Sequence, residues 1–230
     1  KLSDLAQLLS GIRVNESILK NTIASIGFSE DFSSYSREQV LSLARELRIK
    51  TKPIIVAANK CDLQESDENI EWLKKEFSYP IVATSGDSEL ALKRAQEKNL
   101  VSYDGRDFAI TAQQITPAQK QALEKIRASV LQKFGSTGVT KLLHKTVFEL
   151  LNLIVVYPVE DEKHFTDHFS NVLPHALLLP KGSNPPDLAA LIHSDLAKHF
   201  LYAVNARNGM RLAREYELKN NDVIKIVAAK

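Results

Sequence analysis

The chain has 230 residues, 44% hydrophobic and 25% charged, enough to bury a sizeable core and to hold more than one folding unit. Its 30 basic residues against 28 acidic ones exclude a global electrostatic attraction to nucleic acid, and no apolar run approaches the roughly 20 residues of a membrane helix. Cys61 is the only cysteine, which excludes an intrachain disulfide and leaves any zinc site to His and carboxylates. A cytoplasmic protein is expected. The only methionine is Met210, and the chain opens at Lys1 inside an apolar rhythm, so further residues are expected upstream.

Residues 1–50 read as three short helices. Leu2, Leu5, Ala6, Leu9 and Ile12 recur at helical spacing up to Gly11; Ile18, Leu19, Ile23 and Ile26 follow Asn15 as an N-cap and stop at Gly27. Ser36 and Gln39 have capping-box spacing ahead of Val40, Leu43, Ala44 and Leu47. The continuous run Pro53 to Ala57 then predicts a strand buried on both faces, ended by a polar turn at Asn59 to Asp62. A helix over 67–77, a strand at Ile81 to Ala83 and a helix over 88–98 complete half of a doubly wound α/β sheet.

Residues 100–115 read as irregular. Thr116 as N-cap with Pro117 then starts a helix that turns Leu123, Ile126, Val130 and Phe134 inward, until Gly135-Ser136-Thr137-Gly138 breaks it. One more helix carries Val139 to Leu150. From 152 the order is strand (153–159), strand (175–179), helix (186–200) and strands near 202–207, 210–213 and 223–227, with Asn208-Gly209 as a two-residue hairpin turn. That series predicts a small α+β domain of the ubiquitin-like β-grasp kind. The expected divisions are a helical segment 1–50, an α/β segment 51–151 and the β-grasp domain 152–230.

The turn after the first strand carries the chemistry. Ligands of open α/β sheets lie outside the carboxyl ends of the strands, which is where Asn59-Lys60-Cys61-Asp62 falls. Guanine offers two adjacent donors, its ring N–H and exocyclic amine, and the Asp62 carboxylate can accept from both, a pattern adenine does not match. Asn59 can donate to the ring nitrogen edge, and the alkyl stem of Lys60 can lie along a base face. One strand later, Thr84-Ser85-Gly86 forms a second turn whose backbone N–H groups can reach the guanine carbonyl. A solvated strand-to-helix turn is the alternative for the four residues taken alone.

Ile55 to Asp62 and the Thr84-Ser85 turn resemble the base-specificity motifs of translation-factor-like GTPases. Phe134 to Gly138, Asp161 to His175, Lys181 to Ser183, Phe200 to Ala203 and Asn221 to Ile226 are similar to archaeal members of the Obg-like YchF family. The resemblance runs through almost the whole chain. It implies a partial P-loop NTPase-like domain, with residues 1–50 as the end of an inserted helical region, followed by a TGS domain. It also implies GTP or GDP as ligand, with Mg2+ in the complete protein, Asn59, Lys60, Asp62, Ser85 and Gly86 as base contacts, and a link to the ribosome. Some relatives have altered base motifs and prefer ATP; this chain has the GTP-type arrangement.

No G-x-x-x-x-G-K-[ST] phosphate loop is present: after Gly135, Thr140 stands at the second glycine and Leu142 at the hydroxyl that would hold magnesium. There is no D-x-x-G either, so these residues alone are not expected to hydrolyse GTP. His164 and His168, one helical turn apart, and His193-Ser194-Asp195 read as solvated surface rather than metal or triad chemistry. Arg207, Arg211 and Arg214 with Tyr202 form a candidate face for RNA or another partner, interrupted by Glu215 and Glu217. An RNA- or ribosome-binding module without nucleotide dependence, or a protein adaptor, is the competing expectation.

Overall fold

The computed structural model describes residues 1–229, which form two compact units, one ending at Leu142 and one beginning at Leu143. The first opens with α1 (Leu2–Leu8), α2 (Glu16–Ser25) and α3 (Arg37–Thr51). Asn15 Oδ1 accepts from the Ile18 N–H at 2.8 Å, and Ser36 with Gln39 closes the capping box that their spacing predicts. Ala6, Leu19, Ile23, Leu43 and Leu47 from these stripes share one core. Past Leu8 the first stripe tightens into a 3-10 turn at Ser10–Ile12.

β1 (Val56–Ala58) and β2 (Ile81–Ala83) pair in parallel, with α4 (Ser66–Glu76) between them and α5 (Gly86–Glu97) after. The two-faced burial expected of the first strand is corrected. Ala58 is buried in the core, whereas Ala57, which points to the other face by strand alternation, is exposed. Among the described residues β1 pairs only with β2, so an apolar sequence stands in a strand covered on one side.

Residues 100–115 are not irregular throughout. They hold an antiparallel hairpin, β3 (Val101–Tyr103) and β4 (Phe108–Ile110). Val101 and Tyr103 are buried and Ser102 is exposed, an alternation too short to stand out in the sequence. α6 (Pro117–Ile126) begins with the predicted Thr116 cap and Pro117, loosens into a π turn at Arg127–Leu131 and ends as α7 (Gln132–Phe134) at Gly135, φ 77°. Leu123 and Val130 meet Leu92, Tyr103 and Phe108 in a second core. α8 (Val139–His144) follows and runs into a π turn at Lys145–Leu150.

The second unit is a mixed sheet built from β5 (Leu153–Pro158), β6 (Leu177–Pro180), β7 (Phe200–Asn205), β8 (Met210–Leu212) and β9 (Asp222–Ala228), in the order β6-β5-β9-β7-β8. β5 and β9 run parallel and the other neighbours antiparallel. Ile154, Val156, Ala203 and Ile224 from the sheet pack on Leu188 and Ala189 of α9 (Pro185–Ile192). This is the expected β-grasp.

Two local expectations in that unit are corrected. The helix predicted to reach 200 breaks at His193, which is extended (φ −161°); α10 (Ser194–Lys198) restarts with His193 Nδ1 accepting from the Asp195 N–H at 3.2 Å, and Phe200 already belongs to β7. The apolar spacing of Leu188, Ala189, Leu196 and Ala197 continues across the break, which hides it from a periodicity reading. The hairpin turn has four residues rather than two: Asn205 pairs with Met210, and the Gly209 N–H returns to the Asn205 carbonyl at 2.8 Å with φ 70°.

Candidate functional site

The turn 59–62 leaves the carboxyl end of β1 and the turn 84–86 that of β2, so parallel pairing sets them side by side. Backbone bonds lock them together: the Thr84 N–H donates to Ala58 O at 2.9 Å and the Cys61 N–H to Thr84 O at 3.0 Å. Cys61 is buried beneath the loop; burial first, and the Asp62 charge second, push its thiol up to about 11, so it packs as an inert side chain. Lys60 is exposed and adopts φ 66°. A left-handed non-glycine residue carries strain of roughly 1–3 kcal/mol, which the two flanking bonds offset.

The side chains of both turns meet. Ser85 Oγ donates to Asp62 Oδ1 at 2.7 Å. A hydroxyl has one proton, and the charged acceptor takes it; Ser88 Oγ at 2.8 Å and the Ser88 N–H at 3.2 Å therefore donate to Ser85. Ser85 thus caps α5 and aims the carboxylate at the same time. Asn59 Oδ1 accepts from the Gly86 N–H at 3.1 Å, which orients the amide with Nδ2 as its donor.

The backbone N–H groups expected to face a base carbonyl are engaged within the protein: Thr84 with Ala58, Ser85 with Thr137 O at 2.8 Å, Gly86 with Asn59. At Gly86 an added Cβ would lie 3.7 Å from Asn59 Oδ1, an ordinary contact, so sterics do not demand glycine there. A cavity of about 600 Å³ opens on the α4 side, taking in Asn59, Lys60, Asn69 and Leu73 but neither Asp62 nor Ser85. The polar chemistry sits beside that cavity, at the Asp62 and Ser85 contact.

On the first turn of α5, Glu89 Oε2 accepts from Tyr103 Oη at 2.6 Å and from Thr137 Oγ1. Burial and the Glu89 carboxylate push the Tyr103 hydroxyl up to about 12. Its protonated form favours the fold, so that contribution is complete below the free tyrosine value of about 10 and is lost as pH rises through about 12. In an alkaline titration of phenolate absorbance, Tyr103 should ionise late, and Tyr103→Phe should remove that late step; an unchanged profile would refute the assignment.

The other candidate residues are only partly assembled. The Arg211 guanidinium stacks on the Tyr202 ring at 3.8 Å, joining β8 to β7. Arg207 instead donates to the Asn221 carbonyl at 3.2 and 3.3 Å, and Arg214 lies over Phe200, 5.6 Å from its ring centre. His164 and His168 are not on a helix; they pair separately with Asp161 at 2.8 Å and Glu160 at 3.0 Å. Among the described residues no group of three His, Cys, Asp or Glu side chains converges as metal ligands. Nor is any helix of them long and apolar enough to cross a membrane.

A parallel strand pair with interlocked turns at its carboxyl end, followed by a β-grasp unit, defines the class: a GTPase-like α/β region joined to a TGS-type domain. Residues 57–161 match the family described as Obg-like GTPase YGR210-like, G4 motif-containing domain, and residues 169–228 match the TGS domain. An Obg-like GTPase domain match and a TGS match thus follow one another along the chain, as the resemblance implied. An uncharacterized GTP-binding protein of Methanocaldococcus jannaschii is 42% identical over 227 residues, 98% of this chain and 57% of that protein. The crystal structure of a GTP binding protein from Pyrococcus horikoshii OT3 superposes with a TM-score of 0.79 at 40% identity, covering 99% of this chain and 61% of that one. The chain therefore spans less than two thirds of the length of either relative.

Proposed function

We propose that this chain supplies the guanine-reading half of a GTP-binding protein. The observation that carries the reading is the Ser85 to Asp62 hydrogen bond, which fixes a carboxylate at the carboxyl end of a parallel strand pair. Asp62 accepts from the ring N–H and the amine of guanine. Asn59 donates through Nδ2, and the Gly86 N–H is shared between Asn59 and the base carbonyl. Lys60 lays its alkyl stem on one face of the ring. These residues address the base alone; phosphates, Mg2+ and hydrolysis require groups of another kind, since no phosphate loop accompanies them in this sequence.

Titrating the chain with GMP, XMP and AMP while following backbone amide resonances tests this, because a monophosphate isolates base recognition. GMP should move the amides of residues 59–62 and 84–86 and AMP should not. Equal responses to GMP and AMP, or none to GMP, would overturn the guanine assignment.

A second reading rests on Arg211 and Tyr202. Their stack offers an exposed guanidinium plane on the sheet face, a surface on which an unpaired RNA base can lie, and it supports a proposed role of the TGS domain at RNA or the ribosome. Single-stranded RNA should bind more weakly as salt rises, and Arg211→Ala should cost about 1–3 kcal/mol of that binding, the range for a base stacking contact. Salt-independent binding, or no effect of the substitution, would count against it.

A further inference from the structure

The Gly135-Ser136-Thr137-Gly138 tract is more than the end of a helix. Thr137 is fully buried and Ser136 nearly so, although they lie in a turn between helices. The Thr137 carbonyl accepts the Ser85 N–H at 2.8 Å, and Ser85 Oγ in turn donates to Asp62. Gly138 has φ 82°, and a Cβ there would fall 1.9 Å from the Ala83 carbonyl oxygen and 3.0 Å from Thr84 Cα. The backbone of the tract is thus in direct contact with the turn that holds Ser85. Its side chain is tied down as well: Thr137 Oγ1 donates to Glu89 on the first turn of α5, and the Tyr103 hydroxyl holds the same Glu89 oxygen. The Ser136 hydroxyl accepts from the Gly138 N–H at 3.2 Å, closing the tract on itself.

We propose that Thr137 and Gly138 are positioning residues for base recognition: they set the height and orientation of the 84–86 turn, and through Ser85 the direction of the Asp62 carboxylate. This rests on the guanine reading above. Neither residue touches the base, and no side chain of the loop itself could replace a backbone carbonyl delivered from beneath. The requirement for glycine at 138 follows, since any side chain would lift Ala83 and Thr84 away from their partners.

Thr137→Val keeps the shape and removes the hydroxyl, and Thr137→Ser restores it. In the full chain, Thr137→Val should weaken the GMP response by about 3- to 10-fold, less than the full loss of a hydrogen bond to a carboxylate, because the hydroxyl acts on the turn only by anchoring the Thr137 backbone to Glu89. It should also speed exchange of the Ser85 amide, and Thr137→Ser should recover both. Gly138→Ala, if it folds, should abolish the GMP response. If the wild-type chain does not respond to GMP, the guanine reading fails while the Ser85 exchange still decides the positioning role. If Thr137→Val binds GMP as the wild type does, or leaves Ser85 exchange unchanged, the proposal is overturned.

Discussion

Replacing Asp62 with Asn should exchange guanine for xanthine. The substitution keeps an oxygen to accept from Ser85, so the turn remains in place. What changes is the edge offered to the ligand. A carboxylate accepts from both guanine donors; an amide accepts from one and points its own donor at the other. Hydrogen bonds to a charged group are worth about 1.5–3 kcal/mol each, so GMP affinity should fall by about 10- to 150-fold. Xanthine carries a carbonyl oxygen where guanine has its amine, and that oxygen accepts from the new amide. The GMP and XMP titrations should therefore cross over at unchanged thermal stability. A loss of GMP binding without any gain for XMP would mean that Asp62 serves the loop and not the base.

The grouping of this candidate site was legible because its polar groups are side chains at fixed spacing after an apolar run. Asn59, Lys60 and Asp62 stand out against the strand before them, and Ser85 stands at the start of a helix, where a hydroxyl is the usual cap. The structure adds the contact between Ser85 and Asp62, and it assigns the Gly86 N–H to Asn59, which the residue types alone do not specify. The support from Thr137 was hidden for a different reason. It acts through a backbone carbonyl, which every residue has, across a long separation in the chain, so the glycines around it read only as a helix stop. The β3 and β4 hairpin escaped because three-residue strands carry too few alternations to register. The break at His193 escaped because the inward apolar spacing continues past it. The long amphipathic helices and their Asn15, Ser36 and Thr116 caps, where pattern and local hydrogen bonding agree, appear as their spacing predicts.

Leu92→Ala should separate the scaffold from the chemistry. Leu92 lies on α5, fully buried, in the core that also holds Ile70, Val101, Tyr103 and Leu123. The helix it anchors follows directly on the 84–86 turn, the proposed base-reading turn, so its packing fixes that turn from the far side of Ser85. Truncation of a buried leucine removes its transfer free energy and leaves a cavity, costing about 2–5 kcal/mol. Marginal domain stability, on the order of 5–15 kcal/mol, makes that a large fraction of the total. Urea unfolding followed at the amides of β2 and α5 should shift to a lower midpoint with the slope retained, since the surface exposed on unfolding hardly changes. Below that midpoint the GMP response should survive, because the polar contacts among Asn59, Asp62, Ser85 and Gly86 do not pass through Leu92. A variant that keeps its stability would show that α5 is not held by this core. One that stays folded yet no longer distinguishes GMP from AMP would show that packing, and not only the hydrogen bonds of the turn, sets which base is accepted.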